Sequence, residues 1–474
     1  MTRRLGLILL SAAGLCGCVV GPNYRSPVPP TGAAAPLVSL NPARESAQPP
    51  PDDWWRLYDD PMLDGFVRQA FAANADLAVA EANLSAARAL LDAARNQRYP
   101  ATVAEAGAIY GRDPTADEIL EIGGHRPQTI WAFDDILDVS YELDLFGRVR
   151  RSIEASRADA QAVAAARDSV KITVAAETTR AYAQICTLGE QLAVARHSLD
   201  VAQKEAEISA QRRKAGAGSE FDVVRAEGLA AQARAAIPPF EGQRRAALFE
   251  LAALLGRTPS HAPAEAEACV TPPRLSALIP IGDGAALLAR RPDVRLADRR
   301  LAAATARIGV ATADLYPRIS LTGFYGGAAS DLGDLVSEPG LTWGVGPRVS
   351  WSFPNQGGVR ARIRQAKAGA AGALAGFDST VLQALRETET ALAAYGAELD
   401  HHAALADAQG KAQRAFDIAR GEHVAGAVST LDLLTSEQTL LAADAAVAAS
   451  DAALVQNQVA VFKALGGGWR TAAR

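Results

Sequence analysis

The residues of this chain that could do chemistry are few, and none stands in a catalytic or metal-binding pattern. Its six histidines have no ligand spacing with one another or with a cysteine pair. A Walker-type phosphate loop, a nucleophile elbow and a dinucleotide-binding fingerprint are all missing from the sequence. Gly344 and Gly346 lack the third glycine of such a fingerprint and lie in a strand pattern. We therefore expect a protein that is not an enzyme and holds no metal or cofactor.

The cysteine with the clearest chemistry is Cys18, at the end of an amino-terminal targeting segment. Two arginines precede an apolar run that ends in Leu15-Cys16-Gly17-Cys18. This pattern resembles a bacterial lipoprotein signal, in which cleavage follows a small residue and the next cysteine is acylated. Gly17 suits cleavage before Cys18, and Val19 resembles the residue that follows the cysteine in outer-membrane lipoproteins. A plain secretory signal is the alternative.

Cys186 and Cys269 are the only cysteines left in the mature chain that this signal predicts. An extracytoplasmic compartment would permit a disulfide between them. Cys186 lies in a helical pattern, however, and Cys269 lies in a Pro-rich connector far along the chain. We therefore favour two unpaired thiols over a disulfide.

One stretch of eight residues occurs twice and organises the rest of the chain. Residues 215–222 read Ala-Gly-Ala-Gly-Ser-Glu-Phe-Asp, and residues 425–432 read Ala-Gly-Ala-Val-Ser-Thr-Leu-Asp. In each copy a glycine interrupts an Ala-rich helical pattern, and a serine stands where the N-cap of a second helix would lie. These residues are Gly216 and Ser219 in the first copy and Gly426 and Ser429 in the second. Each stretch predicts a helix, a tight turn and a helix.

The two copies belong to a tandem duplication of most of the chain. At an offset of 210 positions, Val139-Ser140 matches Val349-Ser350. Earlier in each half the offset is 217, as for Tyr99-Pro100 and Tyr316-Pro317. The first repeat therefore carries seven additional residues between Pro100 and Val139.

The duplication sets the predicted domain boundaries. We expect a signal peptide at 1–17, a Pro-rich lipid-anchored tether at 18–60, a first repeat at 61–272 and a second at 273–474. Each repeat should contain a short helix, a β-hairpin and a long helical hairpin. The β-hairpins are predicted at about 100–146 and 317–353, and the helical tips near 215–219 and 425–429.

The outgoing arms of the helical hairpins are unusually long. Residues 147 to about 213 contain no proline, so they predict one helix of about 100 Å at roughly 1.5 Å per residue. The return arms, at 219–256 and 429–466, are shorter. Pro238-Pro239 should break the first return arm, whereas Ala448-Ala449 at the matching place should not.

In the predicted β-hairpins the apolar period changes from helical to alternating. Each strand is near the 9–11 residues that a tilted strand needs to cross a bilayer, and aromatic residues stand near the strand ends. We favour membrane-spanning strands, with a soluble hairpin packed on the helices as the alternative. The net charge of −5 argues against a dominant basic surface, so nucleic acid is not an expected partner.

Several local sequences together resemble the outer-membrane efflux protein family, the TolC-like outer membrane factors, in its lipidated OprM-like or NodT-like branch. The resemblance covers nearly the whole chain. Its carriers, apart from the two tips, are Gly17–Tyr24, Trp54-Trp55, Asn74–Leu77, Ala289–Val294 and Leu315–Pro317.

The resemblance implies a mainly α fold with a membrane β part, in which a homotrimer forms an α-helical barrel. Four strands from each subunit would complete one twelve-stranded transmembrane β-barrel. The chain would then be the outer-membrane channel of a tripartite efflux system that exports small molecules. Its implied partners are a periplasmic adaptor protein, an inner-membrane transporter of the RND type and outer-membrane lipid. The strand count agrees, because bacterial outer-membrane barrels start at about 8 strands.

By the same resemblance, the tips around Gly216, Ser219, Gly426 and Ser429 dock the adaptor, and Asp432 lines a periplasmic gate. Asp432 could instead be an ordinary residue at a helix start. Two family features are missing. Thr435 stands where some members have a second gate aspartate, and Val428 where some have an arginine that holds the gate.

Two rival functions stay open at this stage. A type I secretion duct for polypeptides would have the same architecture. A coiled-coil lipoprotein that spaces the membrane from the cell wall would need no channel at all. The aromatic, strand-patterned segments argue against this second rival.

Overall fold

A computed structural model describes residues 19–41, 44–46, 48–112, 129–275, 278–282 and 284–467. Cys18 and the predicted signal peptide lie outside the described residues, as do residues 113–128 between the first two long strands. The described part of the chain is mainly helical, with one four-stranded and one two-stranded sheet.

The first repeat follows the predicted order of a short helical segment, a β-hairpin and a long helical hairpin. It is preceded by a two-residue strand, β1, in the tether. Its elements are β1 (Glu45–Ser46), α1 (Pro61–Ala73), α2 (Ala75–Asn96), β2 (Ala101–Gly111), β3 (Ile130–Leu143), α3 (Arg148–Lys214), α4 (Glu220–Ala235), α5 (Ile237–Leu254) and α6 (Ala264–Glu267).

The second repeat has the same order. Its elements are β4 (Ile279–Pro280), α7 (Gly284–Arg290), α8 (Pro292–Ala313), β5 (Arg318–Ala329), β6 (Leu341–Ser350), α9 (Gly357–Val424) and α10 (Thr430–Ala464). Strand β4 pairs in parallel with β1 of the tether.

The long arms are the helices α3 and α9, of 67 and 68 residues, as the absence of proline predicts. The break at Pro238-Pro239 is also confirmed, because α4 ends at Ala235 and α5 begins at Ile237. Proline is tolerated in the first turn of a helix, so the chain restarts at once. The matching return arm, α10, is one helix of 35 residues.

The chain divides into two compact units. One unit consists of residues 19–27, 85–163 and 297–377 and contains all four long strands. The other consists of residues 28–84, 164–296 and 378–467 and contains the tips. Its largest apolar cluster includes Trp54, which stacks on Phe462 of α10 with ring centroids 4.7 Å apart. The Trp-Trp pair of the tether is thus part of the core.

The four long strands form one antiparallel sheet in the order β2-β3-β5-β6. The register places Leu137 opposite Tyr325 and Tyr325 opposite Trp343, so these side chains share one face. Asp135 is the only charged strand residue on that face within the described residues, and it accepts the backbone N–H of Gly327 at 2.6 Å. The opposite face carries the charged residues Glu105, Asp134, Asp138, Glu142, Arg318 and Arg348.

A disulfide joins Cys186 to Cys269, so the expectation of two unpaired thiols was wrong. Cys186 is buried in α3, and the connector after α6 returns to it with the two Cα atoms 4.8 Å apart. Arg244 holds the connector by donating to the Cys269 carbonyl at 2.8 Å and the Ile185 carbonyl at 3.3 Å. At Gly189 any side chain would clash with the Cys269 carbonyl. The bond is therefore part of a packed junction.

The carboxyl end of each return helix is closed by a polar side chain from the start of its repeat. Arg291 donates to the Ala464 carbonyl of α10 at 2.7 Å. At the duplicated positions, Asn74 donates to the Leu254 carbonyl of α5 at 3.2 Å. Both bonds satisfy one of the carbonyls that a helix end leaves without an intrahelical partner. The Asn74–Leu77 and Ala289–Val294 motifs thus share a structural role.

The two repeats differ in how they neutralise a duplicated glutamate. Glu387 is paired with Arg291 at 2.8 Å within its own repeat. In the first repeat the position of Arg291 is held by the neutral Asn74, and the matching Glu177 is paired instead with Arg180 at 2.6 Å and with Lys463 of the second repeat at 2.9 Å. Burial alone would raise the pKa of Glu177, but the bonds from Lys463 and Arg180 hold it below its ordinary value.

Candidate functional site

The turn between α3 and α4 is closed by a regular helix C-cap. Gly216 has φ +73°, which L-residues with a side chain rarely adopt. Its N–H donates to the Arg213 carbonyl at 3.0 Å, and the Ala217 N–H donates to the Arg212 carbonyl at 2.9 Å. This pair of bonds is the Schellman motif, in which the residue after the helix is left-handed.

The turn between α9 and α10 repeats this geometry bond for bond. Gly426 has φ +76°, its N–H donates to the His423 carbonyl at 3.0 Å, and the Ala427 N–H donates to the Glu422 carbonyl at 2.8 Å. A Cβ atom added at Gly216 or Gly426 would meet no heavy atom within 4 Å. Both turns therefore present bare backbone with open space in front of it.

Each return helix begins at its predicted N-cap serine, and that serine also forms a capping box. The Asp432 N–H donates to Ser429 Oγ at 3.2 Å, and the Ser429 N–H donates to Asp432 Oδ2 at 3.3 Å. Ser219 and Asp222 do the same at 3.2 and 3.1 Å. The Ser219 hydroxyl and N–H hold the pKa of the Asp222 carboxyl below its ordinary value. Within one chain, Asp432 is thus an exposed helix-start residue that caps α10.

The tips carry exposed apolar side chains that sequence reasoning missed. Phe221 and Leu431, at duplicated positions two residues after the capping serines, are 72% and 47% exposed. Val224 is 56% exposed and Val424 is 85% exposed. The available signal was their place inside the repeated stretch, between the serine and the aspartate. An apolar group on bare backbone turns is typical of a contact surface.

A polar contact joins the two tips. Arg212 of α3 lies 3.3 Å from His423 Nε2 of α9. The other ring nitrogen of His423 lies 3.1 Å from the Val428 carbonyl in the second turn. The two turns thus lie together and form one composite surface on the tip-bearing unit.

The first described residues of the tether form a strap that is fastened to the sheet-bearing unit. The Val20 N–H donates to the Phe146 carbonyl at 3.2 Å, between the end of β3 and the start of α3. Arg151 of α3 donates to Asn23 Oδ1 at 2.7 Å and to the Val20 carbonyl at 3.2 Å. Gly21, with φ +87°, lies so close to Gly309 that a side chain there would clash with it. The strap begins at the junction of strand and helix.

Tyr24 secures the other end of the strap. Its hydroxyl donates to Asp298 of α8, which also accepts from Ser26 at 2.9 Å. The Arg299 guanidinium lies over the Tyr24 ring, 5.4 Å from its centroid. Burial and the Asp298 carboxylate raise the pKa of Tyr24 to about 12. The tyrosine therefore stays a neutral hydrogen-bond donor throughout the physiological range.

Two long helical hairpins with adjacent tips, and a four-stranded antiparallel sheet with one apolar face, are the features expected of an outer-membrane efflux protein. The chain belongs to the outer membrane efflux protein family, whose model matches residues 66–257 and 285–467, once in each repeat. The predicted family is thereby confirmed. Its members are channel proteins of the outer membrane, and this chain is one of them.

Known proteins match over almost the whole length. The pyoverdine export outer membrane protein OpmQ of Pseudomonas putida is 31% identical over 99% of this chain and 98% of its own. Nodulation protein T of Rhizobium leguminosarum biovar trifolii is 30% identical over 97% and 96%. A solved structure of the outer-membrane channel OprN matches at 36% identity with a TM-score of 0.84, over 95% of this chain and all of that one. The predicted efflux function and outer-membrane location are thereby confirmed.

Proposed function

We propose that three copies of this chain assemble into one duct, whose sheets close a twelve-stranded barrel and whose helices continue it into the periplasm. The sheet itself carries this proposal. Among the described strands, β2 and β6 each have one edge without a partner, and four strands are too few to close a barrel. Further copies of the same sheet would cover both edges.

The helical part supports the same assembly. The segment Leu431–Ala464 of α10 is, by length and composition, the one helix among the described residues that is apolar enough to cross a membrane. Only 22% of its most apolar window is buried within a single chain. A long, exposed, Ala-rich helix gains stability from close packing against other helices, and neighbouring copies would supply them.

The apolar face of the sheet tests the barrel. Val345→Arg should sharply reduce the amount of membrane-inserted trimer, because arginine on a lipid-facing strand costs about 2–4 kcal/mol near the bilayer centre. Gly346→Arg is the matched control, because the neighbouring residue points to the other face and has open space beside it. The amount of trimer is measured by chemical crosslinking in isolated outer membranes and by native mass measurement of the purified protein. Equal trimer yields, or a wild-type mass of one chain, would refute the assembly.

The chain's partners are proposed from its tips. A periplasmic adaptor would bind the composite surface around Gly216, Ser219, Gly426 and Ser429, where bare turns and exposed apolar side chains lie together. An inner-membrane transporter of the RND type would deliver small molecules to the duct. The name of the pyoverdine-exporting relative supports small-molecule cargo over the polypeptide cargo of a type I secretion duct.

Lipid attachment at Cys18 is the proposed role of the strap. Val20, two positions after Cys18 in the sequence, is held between the end of β3 and the start of α3, so the described part of the strap is fixed beside the strands of the proposed barrel. Labelled palmitate should mark the wild type and not Cys18→Ser. Cys18→Ser should still insert, because a barrel contributes far more membrane affinity than acyl chains. Label that persists in Cys18→Ser would refute acylation at this residue.

Asp432 is proposed as a gate residue in addition to its capping role. A threefold assembly would bring three Asp432 carboxylates into a ring, which favours cations over anions. Asp432→Ala should weaken cation selectivity and alter the closed-state conductance in single-channel recordings. Asp222→Ala is the matched control, because it removes the same capping box, worth about 1 kcal/mol, from the other return helix. Identical currents in Asp432→Ala and the wild type would leave Asp432 as a cap only.

A further inference from the structure

A cavity of about 410 Å³ lies beside the tips, between α3, α4 and α10. Its walls are mostly apolar, with Val201 of α3, Leu229 of α4, and Leu434 and Leu441 of α10 among them. Its volume is within the range of small-molecule sites, which are concave and largely apolar with few polar groups. It is formed by one chain, from both helical hairpins.

The charged residues that line this cavity are two carboxylates, Glu205 of α3 and Glu437 of α10. Glu205 belongs to the first repeat and Glu437 to the second, so the packing of the two helical hairpins places both at one cavity. Neither carboxylate makes a hydrogen bond or an ion pair with the part of the chain that the structure describes. Two half-buried anions in an apolar cavity are unfavourable without a counter-charge.

The charged residues nearby do not supply the counter-charge that the two carboxylates lack. Burial raises the pKa of both carboxyls, and the Glu205 charge raises that of Glu437 further. Arg212 and His423 act on Glu205 from the tip side, and Arg420 acts on Glu437, each in the opposite direction. None of these three basic residues lines the cavity. A cation inside the cavity would offset the cost of ionising both acids.

We propose that this cavity binds amphiphilic organic cations, with the apolar walls holding the hydrophobic body and Glu205 and Glu437 flanking the positive charge. The occupant would bridge α3 and α10 just inside the tips, because Leu434 follows Asp432 by two positions. It would thereby hold the two hairpins together beside the proposed gate. The site is complete in one chain and does not depend on the trimer, the adaptor or transport.

Tetraphenylphosphonium and tetraphenylborate form the sharpest probe pair, because they have nearly the same shape and opposite charge. Equilibrium dialysis against the purified full-length protein should show one tetraphenylphosphonium bound per chain above the detergent background, and no such binding of tetraphenylborate. Affinity for the cation should fall as the pH is lowered through the raised pKa values of the two carboxyls. Cation binding independent of pH would contradict the proposal.

The double variant Glu205→Gln, Glu437→Gln should bind tetraphenylphosphonium at least about tenfold more weakly, which corresponds to about 1.4 kcal/mol. Glu227→Gln is the matched control, because Glu227 occupies the position that corresponds to Glu437 in the other repeat and is exposed. It should bind like the wild type. Equal binding of the two probes, or undiminished cation binding by the double variant, would overturn the proposal. A failed gate or docking experiment would leave this result unaffected.

Discussion

The double variant Gly216→Trp, Gly426→Trp should lose efflux and become as drug-sensitive as cells without the protein, while its trimer still reaches the outer membrane. The large side chains would fill the open space in front of both turns and block the adaptor's approach to the backbone. Crosslinking to the adaptor should be lost in parallel with drug resistance. The yield of trimer in the outer membrane measures assembly, so a loss of docking can be distinguished from a loss of assembly.

Backbone strain is the competing cause, and asparagine separates it from the loss of surface. Asparagine tolerates the left-handed conformation of Gly216 and Gly426 better than other residues with side chains, and its side chain is small. Gly216→Asn, Gly426→Asn should therefore retain most efflux. Normal efflux in the tryptophan variant would refute docking at these turns, and equal loss in both variants would attribute the effect to the backbone.

Arg291→Ala should be among the most destabilising single substitutions in the chain. Arg291 is 7% exposed, and it bonds the Ala464 carbonyl, Asp293 and Glu387 at once. The Asp293 and Glu387 side chains are 36% and 38% exposed, so water can hydrate them when the arginine is removed. We therefore expect a loss below the about 3–5 kcal/mol of a fully buried pair and above the about 0–1 kcal/mol of a surface pair. The temperature at which purified protein loses its helical circular dichroism should fall markedly.

Two controls isolate that effect. Arg307→Ala removes an exposed arginine that pairs with Asp159 at 2.5 Å, and a surface pair is worth only about 0–1 kcal/mol. Arg291→Asn copies Asn74, which closes the matching helix in the first repeat. It should be more stable than Arg291→Ala but less stable than the wild type, because Glu387 still loses its partner. An alanine variant as stable as Arg307→Ala would contradict the structural role of Arg291.

The turns and helix starts at the tips could be predicted because their signals are local. A glycine after the last helical turn and a serine three residues before an aspartate specify a C-cap and a capping box within about ten residues. The duplication doubled this signal. The long helices were predicted equally well, since a run without proline leaves the helix uninterrupted from Arg148 to Lys214.

The disulfide could not be predicted, because it depends on where a connector returns after a long excursion. Cys269 lies 83 positions beyond Cys186, and the sequence around the two residues does not specify that they meet. The glycine at 189, inside a long helix, was the only local hint of a close neighbour. The cavity at Glu205 and Glu437 is hidden for the same reason, since it requires α3 and α10 to lie side by side.

Glu177 and Glu387 stand at duplicated positions but pair with different residues, so the two repeats are not interchangeable. An assembly of six identical half-chains built from the first repeat would lack Lys463, and one built from the second would leave that lysine without Glu177. A substitution of Lys463 in the last helix would remove a partner of Glu177 in the first repeat, so the two repeats depend on each other within one fused chain.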